Sequence, residues 1–219
     1  MTTPVPDYEA SWEFLQRFHP GRLAVITGVS LDKKAIPTET FSPDQREEFL
    51  KWIAACAAMP ANIYFSVGEP MQAASKKLDR TDIAAVHYLH VDLDPRADQP
   101  IESEQTRILA LLRTPDGGLP LPTGIVYSGG GYQAYWKLSE PMTVDGSLEV
   151  AEDIKLYNLQ IERTLGGDHC HDISRIMRVP GTINLPDAKK QARGRVSALS
   201  ELIEWQDDRV YEIGQFPIR

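Results

Sequence analysis

The chain has 219 residues, and its 42% of hydrophobic and 25% of charged residues are ordinary values for a folded globular protein, so disorder is not expected. A formal net charge of −8 argues against a protein that is basic over its whole surface, but it leaves room for a local basic patch. No apolar stretch approaches the length of a membrane span, no secretory signal is recognisable, and two cysteines do not make a disulfide framework. We therefore expect a cytoplasmic protein without a membrane partner.

The N-terminal part of the chain predicts alternating helices and strands. Apolar residues recur at helical spacing from Tyr8 onward, which indicates a helix that ends near Pro20. The pattern then predicts, in order, a strand, a helix and a strand over 22–29, 42–59 and 63–67.

The rest of the chain predicts an antiparallel hairpin among further elements. After a polar loop over 72–80, the pattern predicts in order a strand, a helix, two strands and a long helix over 86–94, 103–113, 123–128, 132–138 and 147–165. A strand over 195–199 and a helical turn or two over 200–205 come last. Because the glycine turn after 128 favours an antiparallel hairpin, we predict an α+β fold with an antiparallel or mixed sheet flanked by helices.

A first set of reactive side chains lies at the end of the strand over 86–94. Since side chains alternate along a strand, His90, Asp92 and Asp94 share one face, opposite the apolar residues between them. Two close carboxylates repel each other unless a cation lies between them, and Mg²⁺ and Mn²⁺ favour such oxygen ligands. Pro95 ends the strand, so the acidic pair lies at a rim that a ligand can reach. The alternative is an ordinary solvated strand end.

A second set is the glycine hairpin, in which Ser128 precedes Gly129, Gly130 and Gly131, and Gln133 follows. Three glycines are more than a turn requires, and glycine lets the backbone approach a ligand closely. Exposed N–H groups in such a loop can form an anion-binding nest. The spacing is that of neither a Walker loop nor a dinucleotide-binding loop, and a flexible turn without a ligand is the alternative.

A third set lies between Asp168 and Asn184. Arg175 and Arg178 suit phosphate oxygens because a guanidinium donates in a fork. An acid of this segment could complete a metal site begun by the acidic pair.

A zinc site of His169, Cys170 and His171 is the rival interpretation of the same segment. Adjacent residues cannot easily all face one ion, and structural zinc ligands usually have two to four residues between them. Otherwise Cys170 is a small buried residue and both histidines lie at the surface.

Together the three segments resemble the archaeo-eukaryotic primase superfamily, above all the primase–polymerase catalytic domains of plasmid- and phage-type replication proteins. The family's first motif, whose two acids bind the catalytic metals, is similar to 90–94. Its second motif, which borders the incoming nucleotide, is similar to 128–136. Its third motif, in which an acid completes the metal site beside basic residues, is similar to 172–184. The three motifs occur in the family's order over 86–184.

The resemblance implies a single catalytic domain over 1–219, with 1–85 as its N-terminal α/β portion and 86–199 as the motif-bearing core, built on an RRM-like sheet. It implies template-directed nucleotidyl transfer in DNA replication, as a DNA primase, a DNA polymerase or both, by a two-metal mechanism with Mg²⁺ or Mn²⁺. The partners that it implies are nucleoside triphosphates, a single-stranded DNA template or primer, and a helicase domain or partner.

The resemblance also assigns roles to individual residues. The catalytic acids and metal ligands that it implies are Asp92, Asp94 and Asp172, with Asp168 as the alternative third acid. The residues that it implies around the triphosphate are Ser128, Gly129, Gly130, Gly131, Gln133, Arg175 and Arg178.

In one position the chain departs from the family, which usually has a histidine where this chain has Gln133. A glutamine can donate to a phosphate oxygen but cannot carry a positive charge. Lys76, Lys77 and Arg80, in the polar loop before the first motif, could bind template phosphates or form an ordinary solvated loop. The same two interpretations apply to the basic stretch over 189–195.

Two further hypotheses are compatible with the sequence. A primase-like module that binds DNA without catalysis would fit Gln133 and the acidic net charge. Another Mg²⁺- or Mn²⁺-dependent enzyme, which transfers phosphoryl or glycosyl groups or cleaves nucleic acid, would fit the acidic pair. This second hypothesis does not account for the segment over 172–184.

Overall fold

The computed structural model describes residues 4–115 and 118–216, which form two large, mainly antiparallel sheets, a smaller two-stranded sheet, and the helices that cover them. The helices are α1 (Tyr8–Phe18), α2 (Arg46–Ala58), α3 (Ile101–Arg113), α4 (Leu148–Leu165) and α5 (Ala188–Gln191). The strands are β1 (Ala24–Ser30), β2 (Thr38–Phe41), β3 (Ala61–Ser66), β4 (Glu69–Pro70), β5 (Ile83–Leu93), β6 (Gly124–Tyr127), β7 (Tyr132–Thr143), β8 (Ile176–Arg178), β9 (Ile183–Asn184), β10 (Ala198–Leu199), β11 (Glu201–Trp205) and β12 (Val210–Tyr211). The α+β class expected from the sequence is confirmed.

The first sheet has the strand order β2-β1-β3-β8, so a strand from the C-terminal half completes a sheet built by the N-terminal part. Helix α1 begins at Asp7, whose side chain accepts from the N–H of Ala10 at 3.0 Å. The apolar face of α1 packs, with that of α2, into a core shared with β1 and β3. This core fixes β8, and with it the third motif, against the N-terminal part.

The second sheet has the order β11-β6-β7-β5-β4, and β12 pairs with β7 in parallel. One face packs on α3 and α4 through alternate residues of β5 and β7, such as Val91 and Trp136. The opposite face contributes Tyr88 and Tyr135 to the core of the first sheet. Both faces of this sheet are therefore covered over much of their area, whereas the C-terminal part of β7 and the end of β5 reach solvent.

One predicted element is wrong. The segment over 200–205, expected to form helical turns, is instead strand β11, which pairs antiparallel with β6 along the edge of the second sheet. Its Trp205 lies over Gly124, where a Cβ atom would come within 2.5 Å of the indole ring. Pairing with an open sheet edge and burial of the indole explain the strand, and neither is visible in a short segment of sequence.

The lengths and polarities of the helices bear on membrane insertion. Among the residues that the structure describes, no helix is both long and apolar enough to cross a bilayer.

Candidate active site

Strand β5 carries the acidic pair to the open end of the second sheet. Tyr88 and His90, which share a face with the pair, are each 1% exposed, whereas Asp92 is half-buried and Asp94 is exposed. The sequence placed these side chains on one face and the acidic pair at an accessible rim. The structure adds that His90 is buried, where it contacts Asn158 of α4 and the segment around Cys170.

His90 fixes this end of β5 against the neighbouring elements. Its main-chain N–H donates to Oδ1 of Asn158 in α4 at 3.0 Å, and its Nε2 lies 2.9 Å from the carbonyl oxygen of Cys170. Burial lowers the pKa of His90 to about 4, so the imidazole is neutral near pH 7 and donates to that carbonyl. His90 is therefore a positioning residue for the two acids that follow it.

Asp168 is the third acid that the structure brings to the pair. Its main-chain N–H donates to the carbonyl oxygen of Asp92, and its Oδ2 accepts from the N–H of Asp94, each at 3.0 Å. These two bonds hold the segment after α4 alongside the end of β5. The three carboxylates line one cavity.

Asp172, the third acid chosen from the sequence, does not line that cavity. Both of its oxygens accept from Nε of Arg80, at 3.0 and 2.9 Å, and Oδ2 also accepts from Nη2 of Arg80 at 2.6 Å. Although burial pushes the pKa of Asp172 upward, hydrogen bonds from Arg80 and Ser174 hold it below the ordinary value. The structure thus brings Asp168, the alternative third acid, to the acidic pair, whereas Asp172 lies outside the cavity and is bonded to Arg80.

The electrostatics of the three acids show an excess of negative charge. Burial, together with the charges of Asp94 and Asp168, raises the pKa of Asp92 to about 6, against the opposing effect of Arg175. Burial and the charge of Asp94 raise the pKa of Asp168 as well. A divalent cation would relieve this repulsion, and an all-carboxylate donor set fits Mg²⁺ or Mn²⁺.

Arg178 forms the basic wall of the cavity and is 5% exposed. Its guanidinium donates to Oδ1 of Asn62 at 2.8 Å, and to Oδ1 of Asn184 and the hydroxyl of Tyr64 at 3.1 Å each. The guanidinium carbon also lies 4.4 Å from the centre of the Tyr64 ring, its partner in the β3–β8 register. Burial lowers the pKa of Arg178, and none of the ion pairs among the described residues involves it. A buried cation held by neutral groups is suited to an anionic ligand.

Arg175, Lys190 and Arg195 add positive charge around the same cavity. Nε of Arg175 is buried and has no hydrogen-bond partner within the described ranges. Nζ of Lys190 and Nη2 of Arg195 lie 3.8 and 3.9 Å from the carboxylate of Asp94. The sequence left open whether the basic stretch over 189–195 binds phosphates or is an ordinary solvated loop. In the structure, at least two of its side chains reach the acids.

The glycine hairpin serves packing in this structure. Residues 128–131 are all buried, and the N–H of Gly131 donates to Oγ of Ser128 at 3.2 Å. A Cβ atom on Gly131 would overlap the carbonyl oxygen of Leu93, and one on Gly130 would overlap the guanidinium of Arg195. Of residues 128–131, Ser128 lines the cavity. The glycines let the hairpin approach the end of β5 closely, and the anion-binding role expected of their N–H groups stays a prediction.

Gln133, the residue in place of the family's histidine, is 4% exposed and tied into the sheet. Its Oε1 accepts from the N–H of Arg178 at 3.0 Å and from the hydroxyl of Tyr135 at 3.2 Å. Gln133 is the register partner of Asp92 across β5 and β7, and its side chain counteracts the raised pKa of that carboxyl. Gln133 lines the cavity, where it links the acidic wall to the strand that carries the basic one.

The basic residues of the loop before β5 lie apart from this cavity. Lys76 and Lys77 are exposed, and Nζ of Lys76 lies 3.8 and 3.7 Å from the carboxylates of Asp79 and Asp82. Arg80 is engaged by Asp172 and also pairs with Glu152. Arg80 is therefore held in internal ion pairs, whereas Lys77 is exposed and could contact a phosphate.

The cavity between the acids and the arginines has a volume of about 200 Å³. This is below the roughly 300 Å³ at which ordinary small-molecule pockets begin, so it suits a phosphate group with its ions rather than a whole nucleotide. Its lining residues are Tyr64, Asp92, Asp94, Ser128, Gln133, Asp168, Cys170, Arg175, Ile176, Arg178, Asn184 and Lys190. Tyr64 was missed by the sequence, since only the β3–β8 pairing places it beside Arg178.

Comparison with known proteins identifies the fold as that of a primase catalytic domain. A crystal structure of the primase RepB′ aligns with a TM-score of 0.57 and 13% identity, over 90% of this chain and 56% of that one. A crystal structure of the catalytic domain of RepB′ in complex with initiator DNA aligns with a TM-score of 0.51 and 16% identity, over 90% of this chain and 84% of that one. The chain thus spans little more than half of the first of these chains.

These structural matches confirm the resemblance predicted from the three motifs at the level of the fold. No protein-family model matches the chain, and no curated protein matches it. The resemblance therefore rests on the fold and on the positions of the motif residues.

Proposed function

We propose that this chain is the catalytic domain of a template-directed nucleotidyltransferase, a DNA primase or DNA polymerase that acts in DNA replication. One observation carries the proposal: three carboxylates face a buried, carboxylate-free Arg178 across one small cavity. That pairing of charges matches the two needs of phosphoryl transfer, which are ligands for cations and donors for phosphate oxygens. We treat 1–219 as one domain, with an N-terminal portion over 1–85 and a catalytic core over 86–199.

Asp92, Asp94 and Asp168 are the proposed metal ligands. Two Mg²⁺ or Mn²⁺ ions held there would supply activation of a 3′-hydroxyl and neutralisation of the departing pyrophosphate. The protein's own contribution is to hold the three carboxylates together through the backbone bonds of Asp168 and the buried imidazole of His90. Gln133, the register partner of Asp92 in β7, lines the cavity beside it.

Arg175 and Arg178 are the proposed triphosphate ligands, with Lys190 as a further cation at the mouth of the cavity. Arg178 is fixed by Asn62, Tyr64 and Asn184, so it presents its charge without reorganisation. Ser128 lines the cavity, and because its Oγ only accepts from the N–H of Gly131, its O–H can still donate to a phosphate oxygen.

Single-stranded DNA is the proposed template or primer, because one of the structural neighbours is a primase catalytic domain in complex with initiator DNA. Lys76 and Lys77 are exposed and free to contact phosphates, although Lys76 also lies near two carboxylates. A helicase domain or partner would supply the strand separation that this fold does not itself explain.

The test is a primer-synthesis and primer-extension assay with ribo- and deoxyribonucleotides, each with Mg²⁺ and with Mn²⁺. Asp94→Asn should abolish incorporation while leaving the fold intact, because Asp94 is exposed and the change is isosteric. Asp98→Asn is the matched control, an exposed acid on the following loop that does not line the cavity. DNA binding without incorporation by the wild type would instead indicate a binding module, and turnover of sugar nucleotides or cleavage of DNA alone would indicate another metal enzyme.

A further inference from the structure

A second cluster of metal-binding side chains lies behind the candidate active site. His169 and His171 flank Cys170, and both imidazoles turn toward Glu162 in the last turn of α4. Nδ1 of His169 lies 3.3 Å from Oε1 of Glu162, and Nδ1 of His171 lies 2.9 Å from Oε2. One ligand atom from each of the three residues lies within 4.8 Å of the other two.

The surroundings of Glu162 distinguish the cluster from a solvated ion pair. Its side chain is only 6% exposed, and within the described ranges its ion-pair partners are the two histidines, not a lysine or an arginine. The N–H of Cys170 donates to Oε2 at 3.1 Å. A buried carboxylate compensated only by imidazoles and one N–H is a favourable place for a cation.

Cys170 does not belong to this cluster, although it separates the two histidines in sequence. Its Sγ lies 3.8 Å from Oδ2 of Asp92, on the side of the candidate active site. Alternation along the extended segment thus sends the histidines to one side and the thiol to the other, which resolves the steric objection to adjacent ligands.

We propose that Glu162, His169 and His171 form a transition-metal site of the zinc type, separate from the carboxylates of Asp92, Asp94 and Asp168. Two imidazoles and one carboxylate are a donor set that Zn²⁺ uses in sites with one open coordination position. Imidazole favours Zn²⁺ and similar ions, whereas the all-carboxylate set favours Mg²⁺ or Mn²⁺, so the two sites differ in the metal that they select.

The position of this site gives it a structural consequence. The segment that carries both histidines begins with Asp168, whose backbone and side chain are bonded to Asp92 and Asp94. An ion held by Glu162, His169 and His171 would fasten this segment to α4 and so hold Asp168 in place. The site itself does not depend on nucleotidyl transfer.

The experiment is a titration of untagged, metal-free full-length protein with Zn²⁺, followed by calorimetry and by thermal unfolding. One equivalent should bind, and at about a hundredfold excess over Kd the unfolding temperature should rise by roughly 5 °C or more. His169→Ala and His171→Ala should each weaken Zn²⁺ binding by about tenfold or more. The side chain of His169 is 94% exposed, so that variant tests the site without a folding defect.

Two control variants separate this site from other binding. His87→Ala removes a histidine whose Nε2 also lies near a carboxylate, 2.6 Å from Oε2 of Glu69. Among the described residues, His87 and Glu69 are not part of a three-ligand cluster, so this variant should bind Zn²⁺ like the wild type. Asp94→Asn should likewise retain the zinc equivalent while losing incorporation, so the two proposals can fail separately. Absence of Zn²⁺ binding by the wild type, unchanged binding by both histidine variants, or loss of the zinc equivalent in Asp94→Asn would each overturn the inference.

Discussion

The main-chain N–H of Asp94 donates to the carboxylate of Asp168 across 3.0 Å, a contact between residues 74 positions apart in the chain. The N–H of Asp168 returns a bond of the same length to the carbonyl oxygen of Asp92. The two segments therefore behave as one unit, and the acids cannot be moved independently. This reciprocal pairing is the structural reason why we propose Asp168 as the third metal ligand.

The first prediction compares Asp168→Asn with Asp172→Asn. Asp168→Asn should abolish metal-dependent incorporation, since an amide keeps the acceptor for the Asp94 N–H but loses the charge that binds a cation. Asp172→Asn should retain activity and lower the free energy of unfolding by about 1 kcal/mol, because it weakens a partly exposed pair with Arg80. Incorporation rates and denaturant unfolding of both variants provide the check.

The opposite outcome, with Asp172→Asn inactive and Asp168→Asn active, would restore the choice made from the sequence. It would require the segment after α4 to rearrange when metal and nucleotide bind, which crystallography of a nucleotide complex would show directly.

The second prediction concerns Arg175. Its Nε is buried without a partner, so Arg175→Ala should leave the free energy of unfolding nearly unchanged. Loss of charge-assisted bonds to phosphate should raise the KM for the nucleoside triphosphate by roughly ten- to a hundredfold. Arg178→Ala is the contrast, because it also removes three internal hydrogen bonds and should destabilise the fold. Equal KM values for wild type and Arg175→Ala would exclude Arg175 from the triphosphate site.

The sequence predicted structure best where a local residue pattern determines both the element and the positions of its side chains. The Asp-x-Asp pair, the hairpin and the long helix α4 were each predicted close to their positions, because alternation and helical spacing are local properties. The choice between Asp168 and Asp172 was not local. It depends on Arg80, which lies 92 positions before Asp172 and occupies that carboxylate.

The third prediction tests the role of the glycine hairpin. Gly131→Ala places a methyl group against the carbonyl oxygen of Leu93 and within 3.0 Å of Oδ1 of Asp94. It should destabilise the fold by about 1–3 kcal/mol and displace the acidic pair, so incorporation falls as well. Gly214→Ala is the matched control, since a Cβ there meets no atom of residues 4–115 or 118–216 within 4 Å. A Gly131→Ala variant as stable and active as wild type would refute the packing role.

The glycine hairpin shows that a position can be predicted without its neighbours. The sequence indicated a close approach to the backbone there, with either a phosphate or a flexible turn as its reason. The approaching groups are Leu93 and Arg195 of the protein itself. Close approach is a property of the glycine, whereas the identity of the neighbour is a property of the tertiary fold.

The last prediction is a pH dependence of stability that arises from His19. This side chain is 2% exposed, its Nε2 donates to the carbonyl oxygen of Ser66 at 3.1 Å, and burial lowers its pKa to about 3. Between pH 6.5 and 3 the unfolded chain binds a proton that the folded chain does not, so stability falls as the pH is lowered through this window. By pH 5, His19 should have lowered the free energy of unfolding by about 2 kcal/mol. This figure depends mainly on the ordinary histidine pKa of the unfolded chain, because pH 5 lies well above the pKa of His19 in the folded chain. His19→Gln keeps an N–H donor for Ser66 but does not titrate. Between pH 7.5 and pH 5, its free energy of unfolding, measured in urea, should therefore fall by about 2 kcal/mol less than that of the wild type. Parallel curves for the two proteins would show that the imidazole is protonated in the folded state, and would contradict its burial as a neutral group.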